Sequence, residues 1–367
     1  RHGWQNGNGK VTHAIPATEA RRYRSVFDPA GSEPGSEDLD SAKWSPVLKV
    51  RHIHLSGEPR IHQFRGKNGQ VWRVGRRTSE AQVPKNECIA LDQIIDITDE
   101  LDDGGKMTWQ VPVGNWTIMR LGHTSTGTRN ETGGGGKGLE CDKLNPAAVR
   151  LQFDRWFGEV MRQIGPELAD RVLTQFHVDS WECGSQNWTP RFIREFRSRR
   201  GYDLRPYLVA LTGRPVGSAE ISERFLYDVR KTISELLQES FFGTLAELAN
   251  ESKCSFSAEC VAPTMCSDGM QHFAKVDVPM GEFWLRSPTH DKPNDMEDAI
   301  SAAQVYGKRI VQAEAFTQLR MAWDEHPKLL KSLGDAQYCR GINRFVYHVF
   351  VQNPWVERKP GMTLDNI

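Results

Sequence analysis

The stretch VLTQFHVDSWECGSQNW, residues 172–188, decides the prediction of the fold. Apolar and polar residues alternate as far as Val178, which predicts a strand, and the polar, glycine-containing residues after it predict a loop. Asp179, Trp181 and Glu182 stand where the strand passes into the loop. Carboxylates at the end of a buried strand are costly unless they have partners or a chemical task. The stretch therefore predicts a functional site at the carboxyl end of a strand.

Strand-like and helix-like segments alternate from about residue 116 onward. The predicted strands cover residues 116–125, 172–180, 255–263, 274–284, 309–317 and 344–351. The predicted helices cover residues 145–165, 189–201, 218–252, 294–308 and 327–342. Alternation of this kind is typical of parallel strands joined by crossover helices. We predict an α/β fold, a (β/α)8 TIM-type barrel that is incomplete in this chain, with a doubly wound sheet as the alternative.

The first part of the chain differs from the rest. Residues 28–115 contain short alternating segments and turn dipeptides such as Asn68-Gly69, which predict a small β-rich insertion or accessory domain. Residues 1–27 are interpreted as the remnant of an early barrel strand and helix, and residues 116–367 as the barrel catalytic domain. The chain stops after PGMTLDNI without a closing element, so we expect a fragment or a processed product.

Composition excludes several classes of partner. Lys plus Arg and Asp plus Glu both number 47, so the formal net charge is zero, which argues against recognition of nucleic acid or an anionic membrane by bulk charge. No apolar run approaches the ~20 residues that span a bilayer, and no membrane insertion is predicted. The seven cysteines contain no CxxC pair, so the sequence indicates neither a zinc ribbon nor a redox pair.

Four of the predicted strands place a glutamate at or just past the carboxyl end: Glu182, Glu259, Glu282 and Glu314. In a parallel barrel the active site is built at that end, where the loops converge. Aromatic residues accompany the acids, and Trp181 and Trp284 are examples. Aromatic faces pack against sugar rings, while carboxyl groups bind hydroxyls and act as acid and base. The pattern predicts a carbohydrate site, with Asp179, Trp181, Glu259 and Trp284 as substrate contacts.

A glycine-rich loop, TGGGGKGLECDKL, residues 132–144, adds weaker candidates. Lys137 is followed by glycine, not by Ser or Thr, so the segment is not a phosphate-binding loop. Glu140 and Asp142 are the predicted substrate contacts in this loop. The alternative for any single glutamate at a strand end is an ion pair or a helix cap, and for any single tryptophan a place in the core.

The motifs GLECDKLNPAAV, HVDSWECGSQNWTPRFIREFRSRRGYDLRPYL, QAEAFT and GINRFVYHVFVQNPW occur in this order. Together they resemble the catalytic region of glycoside hydrolase family 106, the α-L-rhamnosidases. The resemblance covers roughly residues 94–355. It implies a (β/α)8 barrel with β-rich accessory parts that hydrolyses terminal α-L-rhamnose with inversion and depends on calcium.

The resemblance also assigns roles to residues. It implies Glu182 as the general acid and Glu314 as the general base, and inversion requires two carboxyl groups ~6.5–9.5 Å apart. Glu282 is the predicted calcium ligand, since calcium prefers carboxylate oxygens, and it would bridge metal and sugar. The implied partner is a rhamnose-containing carbohydrate, and the implied location is secreted or periplasmic.

Three other interpretations stay open at this point. The first is a carbohydrate-binding barrel without turnover, against which the presence of both Glu182 and Glu314 argues. The second is a retaining glycosidase that pairs Glu182 with Glu282 or Glu259. A purely structural domain is the third, and it explains neither the acids at the strand ends nor the aromatic loops.

Overall fold

The computed structural model describes residues 11–26, 50–71, 78–130, 136–181, 183–259, 267–286, 293–318, 324–348 and 357. Its centre is a sheet of five parallel strands that neighbour one another in chain order. The strands are Gln175–Val178 (β1), Ser255–Glu259 (β2), Val278–Trp284 (β3), Gln312–Thr317 (β4) and Arg344–Tyr347 (β5). All five were predicted from the sequence, although β3 begins later than expected because residues 269–275 are helical.

The sheet is strongly curled. The Gln175 side chain of β1 donates a hydrogen bond of 3.1 Å to the Gln312 side chain of β4. These strands are three positions apart, a span of roughly 14 Å across a flat sheet at ~4.8 Å per strand. The two side chains meet because the strands curve around a common interior, as in part of a barrel. The α/β prediction is confirmed as a parallel half-barrel, and the described residues do not form a closed eight-stranded barrel.

Helices connect the strands and cover the outside of the curl. They are Phe64–Lys67 (α1), Pro146–Ile164 (α2), Pro166–Val172 (α3), Phe192–Arg200 (α4), Ala219–Leu236 (α5), Thr244–Glu251 (α6), Gly269–Lys275 (α7), Pro293–Tyr306 (α8) and Pro327–Arg340 (α9). A π-helical segment, Leu237–Gly243, joins α5 to α6. Shorter 3₁₀ turns occupy Lys85–Glu87, Leu91–Gln93, Thr98–Glu100 and Arg205–Thr212. Within the described residues, no helix is both long and apolar enough to cross a membrane.

Local capping explains where two of the long helices begin. The Asn145 side chain accepts a hydrogen bond of 3.1 Å from the Ala147 amide, and Pro146 opens α2 in the position where its missing N–H costs nothing. The Ser218 hydroxyl accepts one of 3.0 Å from the Ile221 amide at the start of α5. The start predicted for α4 at Thr189 is wrong by a few residues, because the Thr189 hydroxyl bonds to Asp142 instead of capping the helix.

The two faces of the sheet have opposite chemistry. Buried apolar residues on the outer face pack under the helices: Phe176, Phe256, Ala258, Phe283, Ala313 and Ala315. The inner face carries polar residues at alternate positions: Gln175, His177, Ser257, Glu259, Glu282, Gln312 and Glu314. Since side chains alternate across a strand, a polar interior and an apolar exterior follow directly from the period-two pattern of the sequence.

The strand predicted at residues 116–125 is wrong, because these residues form no strand. The described parts of residues 28–115 also include no regular strand, and the predicted division of the chain into domains stays a prediction. Those parts contain short helical turns and isolated bridges such as Leu101 with Met107. Val111, Ile118 and Leu121 are 59%, 55% and 42% exposed. Alternating residues form a stable strand only where a neighbouring strand and a covering layer accept them, and the described residues supply neither here.

The α1 segment packs against α5 and the 3₁₀ turn Arg205–Thr212. Phe64 belongs to the same buried cluster as Phe192 and Phe225 of α4 and α5. The Lys67 ammonium, with a side chain only 4% exposed, forms a 2.6 Å salt bridge with Glu223. Gly213 has φ +86°, and a Cβ atom there would lie 2.4 Å from the Phe64 ring, so only glycine fits. Part of the region predicted as an accessory domain therefore contributes to the core beside the barrel.

Candidate active site

Strand register brings three glutamates together at the carboxyl end of the curl. Glu282 of β3 and Glu314 of β4 are direct neighbours in the register. Glu259 of β2 lies beside Met280, two residues before Glu282, so it occupies the same inner face one layer lower. Their exposed fractions are 3%, 7% and 2% for Glu282, Glu314 and Glu259. Three carboxyl groups thus share one buried, inward-facing corner of the sheet.

The carboxyl of Glu259 is strongly affected by its surroundings. Burial raises the pKa of its carboxyl well above the usual range, and the nearby Glu282, Asp179 and Glu314 raise it further. The Ser180 hydroxyl opposes the shift by donating a 2.8 Å hydrogen bond to Oε2. The other oxygen, Oε1, is buried and accepts no hydrogen bond from the described residues. A carboxyl in this position holds a proton or faces a cation, since both lower the cost of burying it.

Asp179 joins the cluster from the loop after β1. It is exposed, and its Oδ1 atom accepts a 2.8 Å hydrogen bond from the Ser180 amide. One carboxylate oxygen each from Asp179, Glu259 and Glu314 lies within 4.8 Å of the others. Hard oxygen atoms at this spacing are the donor set that a calcium ion uses. Glu282, the metal ligand predicted from the sequence, lies close enough to act on the Glu259 carboxyl but is not one of these three.

Glu314 is held by residues at the ends of β4 and β5. The Thr317 hydroxyl donates a hydrogen bond of 2.5 Å to Glu314 Oε1. The Nδ1 atom of His348 lies 4.0 Å from the same oxygen. A carboxylate that is fixed at one oxygen presents the rest of the group in a defined direction, which a general base requires.

Trp181 is anchored by its surroundings. Its indole N–H donates a 2.6 Å hydrogen bond to the Gly184 carbonyl, and its ring meets the ring of Phe241 edge-on, with centroids 6.0 Å apart. The ammonium of Lys143 lies 5.3 Å from the Trp181 ring centroid. Phe241 comes from the π-helical segment, a local distortion that often supports functional sites. Trp181 is partly buried and fixes the loop that follows Asp179.

The two acids predicted from the glycine-rich loop have structural partners. Glu140 forms a 2.6 Å salt bridge with Lys143. Asp142 accepts a 2.7 Å hydrogen bond from the Thr189 hydroxyl and one of 3.0 Å from the Leu144 amide. These contacts tie residues 140–144 to the loop after β1, and neither acid belongs to the group around Glu259. Their predicted role as substrate contacts stays a prediction.

Trp284 and Glu182 were also predicted as site residues. Trp284 ends β3, is partly buried and pairs in register with Thr317 beyond Glu314. Glu182, the predicted general acid, lies outside the described residues, between Trp181 and Cys183. Its separation from Glu314, on which inversion depends, stays a prediction.

Sequence reasoning missed Ser180 and Thr317, which hold Glu259 and Glu314. Ser180 follows Asp179 directly, but a hydroxyl beside an acid is too common to be a signal. Thr317 is three residues after Glu314, and residues three apart in a regular strand face opposite sides of the sheet. A β-bulge changes that relation here, because Phe283 pairs with Ala315 whereas Trp284 pairs with Thr317.

The chain is similar in sequence or in fold to known proteins. A curated protein of Formosa agariphila named "Putative beta-glucuronidase" is 39% identical over 284 residues, which is 77% of this chain and 24% of that protein. A solved rhamnosidase from Novosphingobium sp. PP1Y matches with a TM-score of 0.71 and 32% identity, covering 84% of this chain and 30% of the other. The chain thus spans about a quarter of the curated relative's length.

A sequence model of a whole protein family identifies the family of this chain. The sequence model of glycoside hydrolase family 106, described as α-L-rhamnosidase, matches residues 12–367. This is nearly the full chain, and it includes the strands that carry Glu259, Glu282 and Glu314. The chain belongs to the α-L-rhamnosidase family of glycoside hydrolases, family 106.

Proposed function

We propose that this chain carries the catalytic centre of an inverting α-L-rhamnosidase that releases terminal α-L-rhamnose from a polysaccharide, an oligosaccharide or a glycoside. The observation that carries the proposal is the buried group of carboxyls at the carboxyl end of the curled sheet, with Glu314 fixed by Thr317. Family membership gives the class of reaction. The polar inner face of the sheet fits a substrate rich in hydroxyl groups.

In the proposed reaction, two side chains move protons. Glu182 protonates the glycosidic oxygen as the bond to the leaving group breaks, and Glu314 takes a proton from the water that attacks the anomeric carbon from the opposite face. The hydrogen bond from Thr317 fixes Oε1 of Glu314. Glu259, held by Ser180, transfers no proton in the reaction. It binds a rhamnose hydroxyl or orients the base, either directly or as a ligand of the cation described next.

The same group of acids suits a calcium ion. Asp179 and Glu259 are assigned as ligands together with Glu282, the ligand predicted from the sequence, and Glu314 is kept as the base. The buried Oε1 atom of Glu259, which accepts no hydrogen bond from the described residues, fits this assignment. Bound calcium would offset the repulsion among the carboxylates and accept oxygen atoms of the sugar.

The name of the Formosa agariphila relative makes β-glucuronide hydrolysis the second candidate. A glucuronide brings its own carboxylate into the site. The charged groups that raise the pKa of Glu259 are Glu282, Asp179 and Glu314, all of them acids. Like charges in one buried site repel, whereas the methyl group of rhamnose carries no charge. The acids of the described site therefore favour a neutral deoxy sugar, except where a bound cation would offset their charge.

The proposal is tested by measuring sugar release from a panel of α-L-rhamnosides, with β-D-glucuronides assayed in parallel. We expect free rhamnose from at least one rhamnoside and no glucuronic acid. NMR of the first product should show the β-anomer, because one displacement by water inverts the configuration. Release of glucuronic acid alone would contradict the choice of substrate, and α-rhamnose as the first product would contradict inversion.

Replacing Glu259 with alanine is expected to lower kcat/KM by roughly 10- to 100-fold, because a buried partner left without its hydrogen bond costs ~1–3 kcal/mol. The matched control is Ser255→Ala at the opposite end of β2, where the hydroxyl donates a hydrogen bond of 3.2 Å to the Thr174 carbonyl. Steady-state kinetics of both variants on one rhamnoside gives the comparison. Full activity of Glu259→Ala would make Glu259 a structural acid.

A further inference from the structure

The end of β4 contains a backbone irregularity directly beside the proposed base. Phe316 has φ +62°, in the left-handed region that non-glycine residues seldom occupy. It is the extra residue of the β-bulge, since Ala315 pairs with Phe283 and Thr317 pairs with Trp284. Strained backbone persists where the surrounding structure holds it, and such positions concentrate at functional sites.

The bulge sends two side chains to opposite faces of the sheet. The Phe316 ring packs on the outer, apolar side, against Phe283 at 4.9 Å and Phe345 at 5.5 Å between centroids. Gly334 of α9 lies against this ring, because a Cβ atom there would be 3.2 Å from both Phe316 and Phe345. The Phe316 ring is therefore packed between the outer face of the sheet and helix α9.

Thr317 turns inward as a consequence. Without the extra residue, position 317 would face away from Glu314, because side chains alternate along a strand. With the bulge, Thr317 is 2% exposed and its hydroxyl lies 2.5 Å from Glu314 Oε1. The bulge therefore exchanges one regular strand pairing for a buried hydrogen bond between Thr317 and one carboxylate oxygen of Glu314.

We propose that Thr317 is a positioning residue for the reaction. The bulge at Phe316 places the Thr317 hydroxyl against Glu314, and this hydrogen bond holds the Glu314 carboxylate in the orientation that accepts the proton of the attacking water. This rests on the proposed role of Glu314 as base. Thr317 touches neither the sugar nor the water in this proposal. It acts by restricting the rotation of the Glu314 carboxylate, so that the carboxylate faces the attacking water in a larger fraction of the enzyme–substrate complexes.

The test compares Thr317→Val, Thr317→Ser and Glu314→Gln in the full chain, on an aryl α-L-rhamnoside with a poor leaving group. Valine keeps the shape and removes the hydroxyl, so kcat should fall by about 10- to 100-fold while KM changes by less than about threefold. Serine should restore most of kcat. The control is Thr232→Val in α5, a buried threonine whose hydroxyl bonds to the Asp228 carbonyl, and its kcat should stay unchanged.

A double variant separates the inference from the proposed function. In a Glu314→Gln background, Thr317→Val should cause no further loss, because the group that it positions is already gone. Wild-type kcat in Thr317→Val together with an inactive Glu314→Gln would overturn the inference and leave the base assignment standing. An equal loss in both backgrounds would overturn it too, since Thr317 would then act elsewhere. Near-normal activity of Glu314→Gln would remove the base assignment itself, and the inference with it.

Discussion

Glu314→Gln is expected to lower kcat by at least about 10²-fold, because an amide cannot take the proton from the attacking water. The change keeps the size of the side chain, and Gln can still accept the hydrogen bond from Thr317, so folding should be preserved. Circular dichroism and the melting temperature check the fold, and single-turnover kinetics checks the chemical step. Near-normal turnover of a substrate with a poor leaving group would remove Glu314 from the mechanism.

Glu182→Gln provides the matched comparison. It should cost a similar factor on a poor leaving group, because the departing oxygen is no longer protonated. An activated aryl rhamnoside should restore part of its activity, since such a leaving group needs less protonation. The same substrate should not rescue Glu314→Gln, which fails at the attack of water. Rescue of both variants, or of neither, would contradict the assignment of acid and base.

Removal of divalent metal is expected to abolish activity or reduce it strongly, with calcium restoring it better than magnesium. The acids around Glu259 repel one another, and calcium would tolerate the irregular oxygen shell that these acids and sugar hydroxyls would supply. Magnesium requires a tighter octahedron with shorter bonds. The measurement is rhamnose release after exhaustive chelation, followed by titration with each metal.

A structural readout accompanies this experiment. Calcium binding should raise the melting temperature of the wild type, because a ligand that binds only the folded state stabilises it. Glu259→Ala removes one proposed ligand and should reduce that shift, whereas Ser255→Ala should retain it. Full activity after chelation would contradict the role of calcium in the reaction.

The sequence by itself predicted the five strands of the sheet and the long helices between them. Alternation in the stretch around Phe176 and in QAEAFT predicted β1 and β4, because a period of two with one apolar face is a local property of the chain. The glutamates at the strand ends were also found in this way. Parallel strands place their carboxyl ends at one edge, so the predicted fold class brings these glutamates to one edge. The structure then sets the register that puts Glu282 directly beside Glu314.

Wrong predictions arose where a local pattern lacked a tertiary partner. Residues 116–125 alternate as β1 does, yet they form no strand, because strand formation depends on neighbours that the pattern does not contain. A helix was predicted to begin at Thr189, but the Thr189 hydroxyl bonds to Asp142, 47 positions away along the chain. Side chains that bond over such separations cannot be identified from local sequence preference.

Only the tertiary structure decided how the acids are held. The link from Ser180 to Glu259 requires β1 and β2 to be neighbours, and the proton affinity of Glu259 depends on burial among acids from three other segments of the chain. The bulge at Phe316 brings Thr317 to Glu314 against the alternation that the sequence predicts. In a regular strand, the period of the sequence fixes which face of the sheet a residue occupies. An irregularity that reverses the face is stabilised by contacts with residues that are distant along the chain. Here these are the contacts of Phe283, Phe345 and Gly334 with the Phe316 ring.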